Sequence, residues 1–135
     1  AARNIDFIRP HLPYDGACGR FRALAAKYGF IQRYRAEKTA VTGIACEPWH
    51  FRYVGAPHAQ LIEQNGLCLE EYAAFLREMG PQQCRLAGGR AAQVLYVPCE
   101  NGHARLPGGC VQVSGDNAGG FIATVWQAGA RRCGA

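Results

Sequence analysis

Glu47 and His50 stand three residues apart in the run Thr42-Gly43-Ile44-Ala45-Cys46-Glu47-Pro48-Trp49-His50-Phe51-Arg52-Tyr53-Val54-Gly55, with the indole of Trp49 between them. These residue types suit metal-assisted hydrolysis. An imidazole binds zinc through one ring nitrogen, and a carboxylate within reach of the metal-bound water takes its proton without itself ligating. Trp49 would wall such a pocket. The spacing alone also fits a surface pair of acid and imidazole, so the surrounding residues have to decide. Cys46, beside Glu47, has no histidine assigned to activate its thiol. His11 sits between Pro10 and Leu12 with Pro13 following, and reads as a loop residue. His58 reads as a cap or supporting partner at a helix start, and His103 as a loop residue without a companion.

For Glu47 and His50 to reach one ligand, the flanking elements must fix them. Residues 18–28 carry Phe21, Leu24, Ala25 and Tyr28 at the three-and-four spacing of an amphipathic helix, which Gly29 closes. Residues 29–34 should be extended, and 38–43 a turn that delivers the chain into the site. From 50 to 54 the alternation of Phe51 and Tyr53 with Arg52 and Val54 predicts a strand, stopped by Gly55 and Pro57. A short helix follows over 57–64. A second, over 67–79, places Leu69, Tyr72, Ala73, Leu76 and Met79 on one face. Beyond Gly80, the runs 93–99, 110–114 and 120–126 are rich in Val, Ile, Phe and Tyr. Asn101-Gly102, Pro107-Gly108-Gly109 and Gly115-Asp116-Asn117 separate them, which predicts antiparallel strands and turns. The last residues, 129–135, read as a loose end.

At 135 residues, 49% hydrophobic and 19% charged, the chain can bury a core, which argues against disorder. The net charge of +5 favours approach to an anionic polymer. Nucleic acid is not expected, because no run of five like charges and no basic helix with interleaved aromatics occurs. No apolar stretch approaches the roughly 20 residues that span a bilayer, and no signal peptide is visible. The seven cysteines lie at 18, 46, 68, 84, 99, 110 and 133 without a C-x-x-C pair, so a cysteine zinc site is not expected. Mostly free thiols are expected, several of them small buried side chains.

The run 42–55, with Tyr28-Gly29-Phe30-Ile31-Gln32-Arg33-Tyr34 before it and Pro57-His58-Ala59 and Leu69-Glu70-Glu71-Tyr72 after it, resembles the VanY-type D-alanyl-D-alanine carboxypeptidases. The resemblance implies that Glu47 and His50 match the E-P-W-H motif, Glu47 as catalytic base and His50 as zinc ligand. It also implies that Asp6, in Asn4-Ile5-Asp6-Phe7-Ile8, matches the zinc aspartate closing the pattern S-x-H-x-x-G-x-A-x-D. Ala2 and Asn4 stand where the family has Gly and Ala. Without the resemblance, Asp6 between Ile5 and Phe7 reads equally as a strand-end or turn carboxylate. Counting back from Asp6 puts the family's first zinc histidine ahead of Ala1. The chain is therefore expected to be an N-terminally truncated fragment, holding metal weakly and inactive by itself. Tyr34 occupies the place of a family tyrosine that lines the substrate pocket, where its hydroxyl would donate to a peptide carbonyl; plain packing is the competing reading. Arg52 is expected to pair with a core carboxylate.

The fold implied is α+β, with helices packed on an antiparallel sheet, a zinc cleft, and a small C-terminal antiparallel β appendage. Residues 1–80 would be the C-terminal part of the peptidase domain, 81–128 the appendage and 129–135 the loose end. The activity implied is zinc-dependent release of terminal D-alanine from peptidoglycan stem peptides ending in D-Ala-D-Ala. L,D-carboxypeptidase or D-Ala-D-Ala dipeptidase activity, and a non-catalytic cell-wall-binding module, are the alternatives. The substrate implies the cell envelope, whereas dipeptide hydrolysis would imply the cytoplasm. Nothing in the residues sets an oligomeric state.

Overall fold

In a computed structural model, which describes residues 10–116 and 118–127, the apolar spacing around Phe21 folds as helix α1, Gly16–Leu24, followed by one 3-10 turn, Ala26–Tyr28. The single helix expected over 18–28 is thus divided at Ala25, whose side chain is buried and whose carbonyl accepts from both Tyr28 and Phe30. Gly29 ends the turn at φ 88°, a left-handed conformation that glycine adopts without a Cβ penalty. The chain then runs out as strand β1, Phe30–Tyr34.

A 3-10 turn, Ala36–Lys38, and the four-residue helix α2, Thr39–Thr42, make the turn expected at 38–43 a helical one, ended by Gly43 at φ 68°. Strand β2, Glu47–Tyr53, returns antiparallel to β1. It starts three residues earlier than the strand expected from residue 50. Pro48 hid that start: a residue without an N–H argues against a regular strand, but an irregular ladder position has no need of the donor. Helix α3, Ala56–Gln64, has Pro57 in its first turn, where the missing donor costs nothing, and buries Pro57, Ala59, Leu61 and Ile62. It packs on β1 and on the 3-10 turn before it.

Helix α4, Leu69–Met79, buries Tyr72 and Leu76, but Met79, placed on the apolar face from the spacing, is exposed. The described residues form two compact units, one ending at Tyr72 and the other starting at Ala73, so α4 contributes its first turn to one and its remainder to the other. The second unit is a four-stranded antiparallel sheet in the order β3-β4-β6-β5: β3 Gln82–Arg85, β4 Ala91–Pro98, β5 Cys110–Gly115 and β6 Gly120–Gln127. Its buried residues include Cys84, Ala92, Val94, Val97, Ala123 and Thr124. The Asn101-Gly102 turn is as expected, with both residues at positive φ and the backbones of Glu100 and His103 bonded in both directions. Asp116 fixes the β5–β6 turn by accepting from the N–H groups of Ala118 and Gly120. Strand β3 escaped the sequence reading because Gln-Gln-Cys-Arg has no β-branched residue and turns only Cys84 inward.

The chain is α+β. Cys18, Cys46, Cys68 and Cys99 are free thiols, and burial pushes the thiols of Cys68 and Cys84 upward in pKa. No helix among the described residues is long and apolar enough to cross a membrane.

Candidate functional site

In a regular strand, residues three apart point to opposite faces, so Glu47 and His50 should not meet. They meet because the β1–β2 ladder breaks. Phe30 pairs with Tyr53, Ile31 with Arg52 and Gln32 with Phe51, but the next pair is Tyr34 with Glu47. Arg33 alone therefore opposes Pro48, Trp49 and His50, a bulge of two extra residues that turns the start of β2 relative to its end. Within it, Glu47 Oε2 lies 2.8 Å from His50 Nδ1. Both side chains keep access to solvent, 31% exposed for Glu47 and 43% for His50. The Tyr34 ring meets the His50 ring edge-on, centroids 5.1 Å apart and planes at 84°. Trp49 is half-buried within the same bulge.

Of the residues singled out from the sequence, Glu47, His50 and Tyr34 are brought together, Trp49 lies in the segment between the first two, and Asp6 falls outside the described residues. His11 and Cys46 are exposed. His58, read as a cap or a supporting partner, does not cap α3: its Nδ1 is 2.9 Å from the Tyr72 hydroxyl, and burial lowers its pKa. His103 lies in the turn after β4, its backbone bridged to that of Glu100. Arg52, expected against a core carboxylate, is exposed on β2.

The ion pairs that bind this unit come instead from residues the sequence reading passed over. Arg33 donates to both carboxylate oxygens of Glu70, at 2.9 and 2.5 Å. That bond raises the pKa of Arg33 and holds the carboxyl of Glu70 below its ordinary range. Lys38 donates to Glu71 at 2.8 Å, and the same carboxylate accepts the backbone N–H of Cys68 at 2.8 Å. Both lower the pKa of Glu71, the Lys38 bond first. Arg35 reaches the carbonyl of Leu67 and lies 3.6 Å from Glu63. One signal was available: two glutamates in the first turn of a predicted helix mark its positive end.

Arg22 gathers the segment before α1. It donates to the carbonyls of Leu12 and Pro13 and to Gln32 Oε1, and lies 4.2 Å from the Tyr14 ring centroid. Gln32 in turn donates to the carbonyl of Tyr34. Beside it, Phe21 packs edge-on against Phe51 at 4.7 Å. The strand that presents His50 is thus fixed through Phe51.

Among the described residues no three of His, Cys, Asp and Glu gather closely enough to hold a metal ion. The donors present fit zinc in kind: His50 offers an imidazole nitrogen, and Glu47 places a carboxylate beside it.

Residues 11–56 match the family model of VanY, D-alanyl-D-alanine carboxypeptidase. A D-alanyl-D-alanine carboxypeptidase of Enterococcus faecium is 39% identical over 103 residues, which cover 76% of this chain and 34% of that protein. The bifunctional D-Ala-D-Ala dipeptidase and D-Ala-D-Ala carboxypeptidase VanXYC of Enterococcus gallinarum is 47% identical over 73 residues, 54% of this chain and 38% of its own length. Among solved structures, the vancomycin resistance D,D-dipeptidase VanXYg, in complex with a D-Ala-D-Ala phosphinate analogue, superposes with a TM-score of 0.82 at 41% identity. The match covers 94% of this chain and 53% of that one. The chain therefore spans about a third of the length of these two curated relatives and about half of the solved one.

Proposed function

The chain belongs to the VanY family over residues 11–56, and from that premise we propose that it acts in a zinc-dependent D-alanyl-D-alanine carboxypeptidase, releasing terminal D-alanine from peptidoglycan stem peptides. The observation that supports this most is the 2.8 Å contact of Glu47 with His50, made across a spacing that a regular strand would keep apart. His50 and Asp6 would hold the zinc ion. When bound, zinc supplies Lewis acidity toward a carbonyl and brings the pKa of its water to about 7. Glu47 takes the proton of the attacking water and passes it to the departing amine. Its place beside the imidazole, with solvent access retained, suits a base that must reach water. Tyr34 donates its hydroxyl to a peptide carbonyl, and Trp49 walls the pocket. A stem-peptide substrate puts the work at the cell envelope.

Zinc content and D-alanine release, measured together on the full-length protein, test these roles. Glu47→Gln should keep the metal and lose turnover by roughly 10²- to 10⁴-fold, the range of a general base, while His50→Ala should lose both. Equal loss of metal in the two variants would contradict the assignment. A panel of pentapeptide, tetrapeptide and free dipeptide separates stem-peptide hydrolysis from the dipeptidase activity named for two of the relatives. Cleavage of the dipeptide alone would replace the carboxypeptidase reading.

A further inference from the structure

We propose that Arg33 is a positioning residue for this site, holding the Tyr34 ring against the His50 imidazole while Glu70 holds Arg33. The inference rests on the reading of Tyr34 and His50 as site residues. Arg33 is the one β1 residue facing three of β2, so the ladder gives its neighbourhood no regular cross-strand pair. Something else must define the geometry there. The guanidinium lies 4.7 Å from the Tyr34 ring centroid, within cation–π range, and that ring meets His50 edge-on. At its far end, Arg33 is gripped by both oxygens of Glu70, with only 15% of its side chain exposed. A two-point grip fixes the plane of the guanidinium as well as its distance, which a lysine ammonium would not do.

The contacts form one series: Glu70 on α4, Arg33 and Tyr34 on β1, His50 and Glu47 on β2. Each link is a directional contact between planar groups, so a rotation of the guanidinium is passed to the Tyr34 ring. The competing reading is an ion pair that merely ties β1 to α4. The two differ in whether the effect of Arg33 depends on Tyr34.

A double-mutant cycle on the full-length protein separates them. Arg33→Met should lower kcat/KM for D-alanine release by about five- to tenfold, the size of one cation–π contact near the site. In a Tyr34→Leu background the same substitution should change kcat/KM by less than about twofold. An equal fold-loss in both backgrounds overturns the proposal. If Arg33→Met does not fold, Arg33→Lys takes its place in the cycle, since it keeps the charge and loses only the planar grip. The NMR shifts of the His50 ring protons give a readout independent of turnover: Arg33→Lys and Glu70→Gln should both move them, in the direction that Tyr34→Leu does. Unmoved His50 signals overturn the positioning role even where activity falls. A wild-type protein that releases no D-alanine from any peptide, yet shows the coupled shifts, sinks the carboxypeptidase reading and leaves Arg33's role standing.

Discussion

Gly29 combines a φ of 88° with close approach by one side chain and one peptide group, so it can be replaced only at a cost. A Cβ there would lie 2.7 Å from Tyr53 Cε2 and 2.9 Å from both Ala56 N and Gly55 C. Its carbonyl accepts from Val54 and Gly55, locking the end of β2 to the start of β1. Gly29→Ala should therefore destabilise the chain by about 2–4 kcal/mol, combining backbone strain with a clash against backbone atoms. Urea denaturation checks this, and an unchanged midpoint would refute it. The sequence already marked Gly29 as a helix terminator, because a glycine after an apolar-periodic run has that reading. It also marked Glu47 and His50. What it withheld was how they meet: a period of two separates them, and only Pro48 hints that the ladder is broken. The pair was legible as a motif and hidden as geometry.

The start of α4 shows what one carboxylate can do for an element. Glu71 accepts the N–H of Cys68, one of the donors that a helix leaves unpaired at its first turn, and binds Lys38 from the segment after β1. Glu71→Ala should cost about 1 kcal/mol, the usual loss for a helix cap. Thermal melting at neutral pH measures it, and no change in Tm would show that water replaces the cap freely. The acid dependence has a defined sign. Glu70 and Glu71 both titrate below their ordinary value of 4.5 when folded. Their contribution is therefore present above that value and disappears as the pH falls through the folded values. The helices were readable from apolar spacing because they bury one face against the fold. Edge strand β3 was not, since Gln82 to Arg85 turns one small thiol inward and little else to distinguish it from a loop.

At the scale of the whole molecule, burial of His58 should make the fold acid-sensitive at milder pH. Burial lowers its pKa below 6.5, so the folded chain keeps it neutral where the unfolded chain takes up a proton. Stability that is present above 6.5 is lost as the pH falls from there toward the folded value. Urea midpoints should therefore drop between pH 7 and roughly pH 5.5 in the wild type and stay flatter in His58→Gln. Parallel curves for the two proteins would contradict this origin. The division into two units at Tyr72 and Ala73 falls inside α4, where apolar periodicity is unbroken, which is why composition and spacing put the boundary after the helix instead.

Among the described residues β1 and β2 form a ribbon of two, with no third strand beside the bulge. A flanking strand would have to copy the two surplus residues or forfeit its own hydrogen bonds. The connection that feeds the bulge, Arg35 to Cys46, is itself tied down at its start, by Arg35 to the carbonyl of Leu67 and by Lys38 to Glu71. A change of length between those ties and Glu47 would therefore fall on the bulge itself, and should be read first in how far the carboxylate reaches toward solvent.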